Sequence, residues 1–176
     1  KRTVNLTGGE PLMNIKTIKY IIDRAKNMPN TRTVMFTNGV LVTKELADYF
    51  AKAGTLMLVS LDGPKDIHDS VRITKDGRGT FDASLRGYEL LRDAGCNVGV
   101  SSVTGIHNVN RMNEVSDLFL NLEPPSIGLN FGHYLLGKEN PTAIPMGKFG
   151  EILTNFYKKM RENNIFVENI SRFITP

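Results

Sequence analysis

Short apolar runs alternate with amphipathic helix-like segments along nearly the whole chain, and few folds accept that order. The first strand is predicted over Thr3–Thr7, followed by a helix that Asn14 can cap, with Ile15, Ile18, Ile21, Ile22 and Ala25 on one face. A second strand, Thr33–Thr37, runs into the turn signal Asn38-Gly39. Thr43 is a plausible cap for a helix whose inward residues are Leu46, Ala47, Phe50 and Ala53, with Gly54 as its stop. Leu56–Leu61 is nearly all apolar, as a strand covered on both faces should be. A polar excursion from Asp62 to Gly79 precedes a helix carrying Phe81, Leu85, Tyr88 and Leu91, which Gly95 ends. Asn97–Val103 and Ile127–Phe131 read as strands, separated by a helix over about Asn113–Leu122 that Pro124-Pro125 breaks. A last helix after Pro145 places Phe149, Ile152, Leu153, Phe156 and Met160 on one face, and Ile165-Phe166-Val167 can start a further strand. This alternation implies βαβ units and a parallel sheet, either an open α/β sheet or part of a (β/α) barrel. No linker or composition shift divides residues 1–176, so one domain is expected.

The bulk properties narrow the partners. Net charge is +4 with the basic residues scattered, so nucleic-acid binding is not expected. No apolar run approaches bilayer-spanning length and no signal peptide heads the sequence, so no membrane association is expected. Cys96 is the only cysteine, which excludes an internal disulfide and any all-cysteine metal site within the chain. That usage points to a reducing compartment, the cytoplasm.

Ligands of such folds bind at the carboxyl ends of the strands, and here those ends are polar. They offer Thr7 with Gly8-Gly9-Glu10, Thr37-Asn38, Ser60 with Asp62, Ser101-Ser102 with Thr104, and Asn130 with His133. Gly8 and Gly9 allow a tight turn and close approach to a ligand, Pro11 suits a first helical turn, and Glu10 would lie near that positive helix end. Each end alone has an ordinary explanation as turn chemistry, but five on one face favour a shared site. In the loop Asp62–Phe81, Arg72 can hold a carboxylate by two parallel hydrogen bonds, though a solvated surface arginine explains it equally well. His68, His107 and His133 have no partners at metal-ligand spacing. The residues thus imply a pocket for a ligand that is partly anionic and partly cationic, with no reaction specified.

Gly8-Gly9-Glu10-Pro11, Thr37-Asn38-Gly39 and Ser60-Leu61-Asp62-Gly63-Pro64, in this order, resemble the radical S-adenosylmethionine (SAM) superfamily. The continuation through His68-Asp69, Arg72 and Gly77-Arg78-Gly79-Thr80-Phe81 is similar to its branch of anaerobic sulfatase-maturating and related peptide-modifying enzymes with a cysteine-rich C-terminal domain. The resemblance covers essentially the whole chain. It implies an α/β partial (β/α) barrel, of which this chain supplies strands two to six. It further implies that Gly8, Gly9, Glu10 and Pro11 receive the methionine ammonium of SAM, that Ser60 contacts the ribose or methionine, and that Arg72 takes the methionine carboxylate. Asn38, Asp62, Ser102 and the strand near Asn130 are implied on the nucleotide or substrate side. No catalytic residue is implied.

The resemblance also implies a four-iron four-sulfur cluster held by a C-x-x-x-C-x-x-C loop, which this sequence lacks. Starting at Lys1 directly before a strand, the chain is expected to be a segment of a longer oxidoreductase whose cluster loop, first strand and cysteine-rich domain lie elsewhere. Such an enzyme uses SAM to generate a 5′-deoxyadenosyl radical, acts on a peptide or protein, and takes electrons from a donor such as flavodoxin or ferredoxin. The segment itself is expected to be inactive, and to self-associate through exposed strand edges. Two competing readings are a non-catalytic α/β binding or scaffold module and, weaker for want of a strand-end lysine, an aldolase-like barrel enzyme.

Overall fold

The computed structural model describes residues 2–131 and 146–168. His133, Pro145 and the side chain of Phe149 lie outside the described residues. The strands are β1 (Arg2–Leu6), β2 (Thr31–Thr37), β3 (Leu56–Ser60), β4 (Val98–Thr104), β5 (Ser126–Phe131) and β6 (Phe166–Val167). The helices are α1 (Ile15–Lys26), α2 (Lys44–Ala53), α3 (Lys65–Asp69), α4 (Phe81–Asp93), α5 (Met112–Leu122) and α6 (Met146–Glu162). Strand order in the six-stranded sheet follows chain order. The expected α/β fold with a parallel sheet is therefore the one observed, down to the strand begun at Ile165-Phe166-Val167.

By contacts, the described residues fall into two compact units. One comprises the stretches up to Ser60 and from Asp82 to Gly99; the other takes Leu61–Phe81 and the described residues from Val100 onward.

In the first unit, β2 pairs in parallel with β1 and β3, setting Leu6 beside Met35 and Thr37 beside Val59. Met57, Leu58 and Val59 in the middle of β3 are all buried, which explains its unbroken apolar sequence. The predicted caps form: Asn14 Oδ1 accepts the Thr17 N–H, Thr43 Oγ1 accepts the Leu46 N–H, and Gly54 closes α2 at a φ of 65°. Ile22 and Phe50 are fully buried, and burial of a side chain that size contributes about 1.5–3 kcal/mol.

In the second unit, β5 pairs in parallel with β4 and β6. Val115, Phe119, Ile127, Leu129, Phe156 and Met160 are buried, and the Phe119 and Phe156 rings meet edge to face at 6.3 Å. The stretch read as a polar excursion is more ordered than its composition suggests. It contains α3, with Ile67 and His68 buried, and a hairpin-like turn in which Ile73 bridges Gly79. Five residues are too few to display a helical period, so α3 is invisible in the sequence.

Candidate functional site

At the carboxyl end of β1 the chain turns through Gly8 and Gly9 into a 3-10 turn over Pro11–Asn14. Gly8 has a φ of 144°, where an L side chain is strained, and no atom lies within 4 Å of a Cβ built on Gly8 or Gly9. Their backbone is thus uncovered. Glu10, by contrast, is firmly held. Its Oε1 accepts the Leu12 N–H at 3.1 Å and the Thr37 hydroxyl at 2.7 Å, while Oε2 accepts the Asn38 N–H at 2.8 Å. The carboxylate therefore caps the turn after β1 and ties it to the end of β2. Thr37 Oγ1 in turn accepts the Gly39 N–H, and Asn38 Oδ1 accepts the Val40 N–H. That turn is braced from behind, because a Cβ on Gly87 of α4 would lie 2.1 Å from the Gly39 carbonyl oxygen. Ser60, half-buried, ends β3.

In the second unit the centre of the polar network is Asp62, buried to 2% exposure. Arg72 donates Nε–H to Oδ2 at 2.5 Å and Nη2–H to Oδ1 at 3.2 Å, and the Val103 N–H adds a third donor to Oδ1 at 2.8 Å. Asn108, also buried, donates to the carbonyls of Asp62 and Val103, both at 2.9 Å, and accepts the Gly105 N–H. His68, with no exposed surface, accepts the Asp62 N–H at Nδ1 over 3.4 Å. Thr80 Oγ1 spends its proton on the Arg72 carbonyl, so it accepts from His68 Nε2 at 3.1 Å, which sets the Nε2–H tautomer. Burial, with the Arg72 charge also lowering it, pushes the imidazole down to about 4, against the opposing pull of Asp62 and Asp69. His68 is neutral near pH 7 and serves the loop as a linker. Asp69 Oδ1 accepts the N–H of Phe81, the first residue of α4, and a Cβ on Gly79 would lie 2.0 Å from that carboxyl carbon.

Ser102 and Thr104, on one side of β4, are buried with hydroxyls that have no hydrogen-bond partner among the described residues. Asn130 donates to Ser101 Oγ at 3.0 Å. The unit thus brings Asp62 and Arg72 into direct contact, whereas Ser102 is left with unspent hydrogen-bonding capacity. Asn108 was not singled out in the sequence, and no spacing or motif marks it. Thr37 reads in the sequence as a polar strand end and turn residue, but its role as donor to Glu10 depends on a contact 27 positions away.

In the first unit the residues of the Gly8–Pro11 turn, with their open glycine backbone, fit a cationic or polar group of the kind SAM carries; in the second, those around the partly exposed Arg72, with its unspent N–H groups, fit an anionic one. They do not fit an iron–sulfur cluster. No group of three or more His, Cys, Asp or Glu among the described residues could hold a metal ion, and Cys96 donates its thiol to the Ala47 carbonyl at 3.4 Å. Burial, helped by Asp48, raises that thiol to about 11, so it stays protonated at neutral pH.

Residues 1–119 match the radical SAM superfamily, and the chain belongs to that family of SAM-dependent enzymes. The chain is 32% identical over 105 residues to the serine-type anaerobic sulfatase-maturating enzyme of Bacteroides thetaiotaomicron, covering 57% of this chain and 25% of that protein. It is 30% identical over 160 residues to the AdoMet-dependent heme synthase of Oleidesulfovibrio alaskensis, covering 86% of this chain and 39% of that protein. The fold matches that of native anSMEcpe with bound AdoMet and Kp18Cys peptide, with a TM-score of 0.83 at 20% identity over 98% of this chain and 52% of that one. The chain thus spans about half or less of these proteins, and its fold is the radical SAM partial barrel. Among the described residues, no helix is long and apolar enough to cross a membrane.

Proposed function

We propose that this chain is the SAM-binding core of a radical SAM oxidoreductase that modifies a peptide or protein. The observation that carries the reading is the turn Gly8–Pro11, where bare glycine backbone stands beside a glutamate pinned by three donors. A carboxylate so held needs no reorganisation to favour a cation, and uncovered carbonyls nearby add acceptors. In this role Gly8, Gly9, Glu10 and Pro11 receive the SAM ammonium, with Asn38 and Ser60 on the same unit contributing polar contacts. On the second unit Arg72 takes a carboxylate, and the buried Ser102 hydroxyl, without a hydrogen-bond partner among the described residues, is offered as a further polar contact. Bound SAM would supply the radical chemistry of the family. Because Cys96 is the only cysteine and is spent on Ala47, the chain alone is proposed to bind SAM without turnover, the whole protein drawing electrons from a donor such as flavodoxin or ferredoxin.

A peptide substrate is supported by the sulfatase-maturating relative, whereas the heme synthase relative keeps a tetrapyrrole in contention. The same engaged cysteine favours a second reading, a non-catalytic binding module. Isothermal calorimetry with SAM tests the assignment. Binding should be saturable and weakened about tenfold or more by Glu10→Ala, as expected for loss of a charge-assisted contact. No heat with the parent chain would defeat the site assignment.

A further inference from the structure

Arg72 does not stand alone, and the manner of its pairing assigns a task to its partner. The guanidinium has five N–H donors in a rigid fork. Two of them, Nε–H and one Nη2–H, are committed to Asp62, which leaves the Nη1 pair and the second Nη2–H. Those remaining donors form an edge that matches a second carboxylate. The Arg72 side chain keeps 27% exposure while that of Asp62 keeps 2%, so the pair presents its cationic member outward and its anionic member inward. Asp62 is itself fixed by the Val103 N–H on its carboxylate and by His68 and Asn108 on its backbone.

We propose that Asp62 is a positioning residue that orients Arg72 toward a ligand carboxylate, rather than a residue that touches the ligand. The inference rests on the reading that Arg72 takes the carboxylate of SAM. Two effects compete at this pair. The Asp62 charge opposes an incoming anion, while its two hydrogen bonds hold the guanidinium in one geometry. Geometry wins here because removing the carboxylate leaves a donor facing a donor. An asparagine in its place can keep its oxygen on the Val103 N–H, but its amide nitrogen then meets the Arg72 Nε–H, and the guanidinium must leave.

The experiment is calorimetry on the whole chain with two probes, SAM and decarboxylated SAM, which lacks only the carboxylate. In the parent, SAM should bind more tightly. Asp62→Asn should weaken SAM about tenfold and decarboxylated SAM less than twofold. Arg72→Lys, which keeps the charge but loses the fork, should show the same selective loss and supplies the answer if Asp62→Asn does not fold by circular dichroism. A gain in SAM affinity in Asp62→Asn would make Asp62 a competitor for Arg72 and overturn the proposal. Equal loss for both probes would reduce Asp62 to a structural role and also overturn it. If Arg72→Lys weakens both probes alike, the reading of Arg72 itself fails, and the positioning role fails with it.

Discussion

At position 87 a single methyl group would have nowhere to go. Its carbon would lie 2.1 Å from the Gly39 carbonyl oxygen and 2.9 Å from the carbonyl carbon, backbone against backbone. Neither a rotamer change nor a side-chain shift relieves that, and overpacking of this kind costs about 1–3 kcal/mol or more. Gly87→Ala should therefore lower the urea midpoint by at least that equivalent, despite alanine's better helix propensity. A midpoint at or above the parent's would show that α4 can move away from the Asn38-Gly39 turn. Residues also differ in how far the sequence announces them. Glu10 was readable as a fixed carboxylate beside a helical turn, and it does accept the Leu12 N–H. Its bonds to Thr37 and Asn38 were not readable, because they join positions brought together only by strand pairing. Asp62 and Arg72 were each visible as polar groups, but nothing in their spacing of ten residues announced that they face one another.

Among the elements, the loop from Asp62 to Phe81 behaves as a built piece of structure with a buried imidazole in it. His68 titrates near 4 when folded and near 6.5 when unfolded. Between these values the unfolded chain takes up a proton that the folded chain refuses. Stability from this group is thus fully present above pH 6.5, falls as pH drops through the window, and levels off below about 4. The slope contributed is at most about 1.4 kcal/mol per pH unit. Urea unfolding at a series of pH values should show that slope in the parent and a shallower one in His68→Gln, which retains a donor and an acceptor. Equal slopes would mean the proton is not taken up at His68. The strands and long helices of the chain were legible because periodicity and capping act locally, as Asn14, Thr43 and Gly54 demonstrate. β1 and β2 begin earlier than predicted, since Arg2 and Thr31 pair across strands whatever their own preference. The loop's order could not be read because it depends on Asn108, from beyond β4, meeting Asp62, and on His68 folding back onto the Asp62 backbone, neither of which any spacing announces.

For the molecule as a whole, ligand binding and folding are linked. SAM at about a hundred times its dissociation constant should stabilise the chain by about 2.7 kcal/mol, provided the unfolded chain does not bind it. A thermal melt should rise accordingly and return to its starting midpoint once SAM is removed by dialysis. Glu10→Ala, at a roughly tenfold weaker affinity, should lose about half of the rise or more at the same SAM concentration. A midpoint indifferent to SAM in the parent would contradict the proposed function.

The solitary thiol of Cys96, raised to about 11 and tied to Ala47, has a practical sequel. Thiolates add to the double bond of maleimide reagents, and this position offers almost no thiolate at neutral pH. A cysteine introduced at Met13, 79% exposed on the turn after Pro11, would react far ahead of it. A fluorophore placed there would report on the Gly8–Pro11 turn with no need to remove the native cysteine.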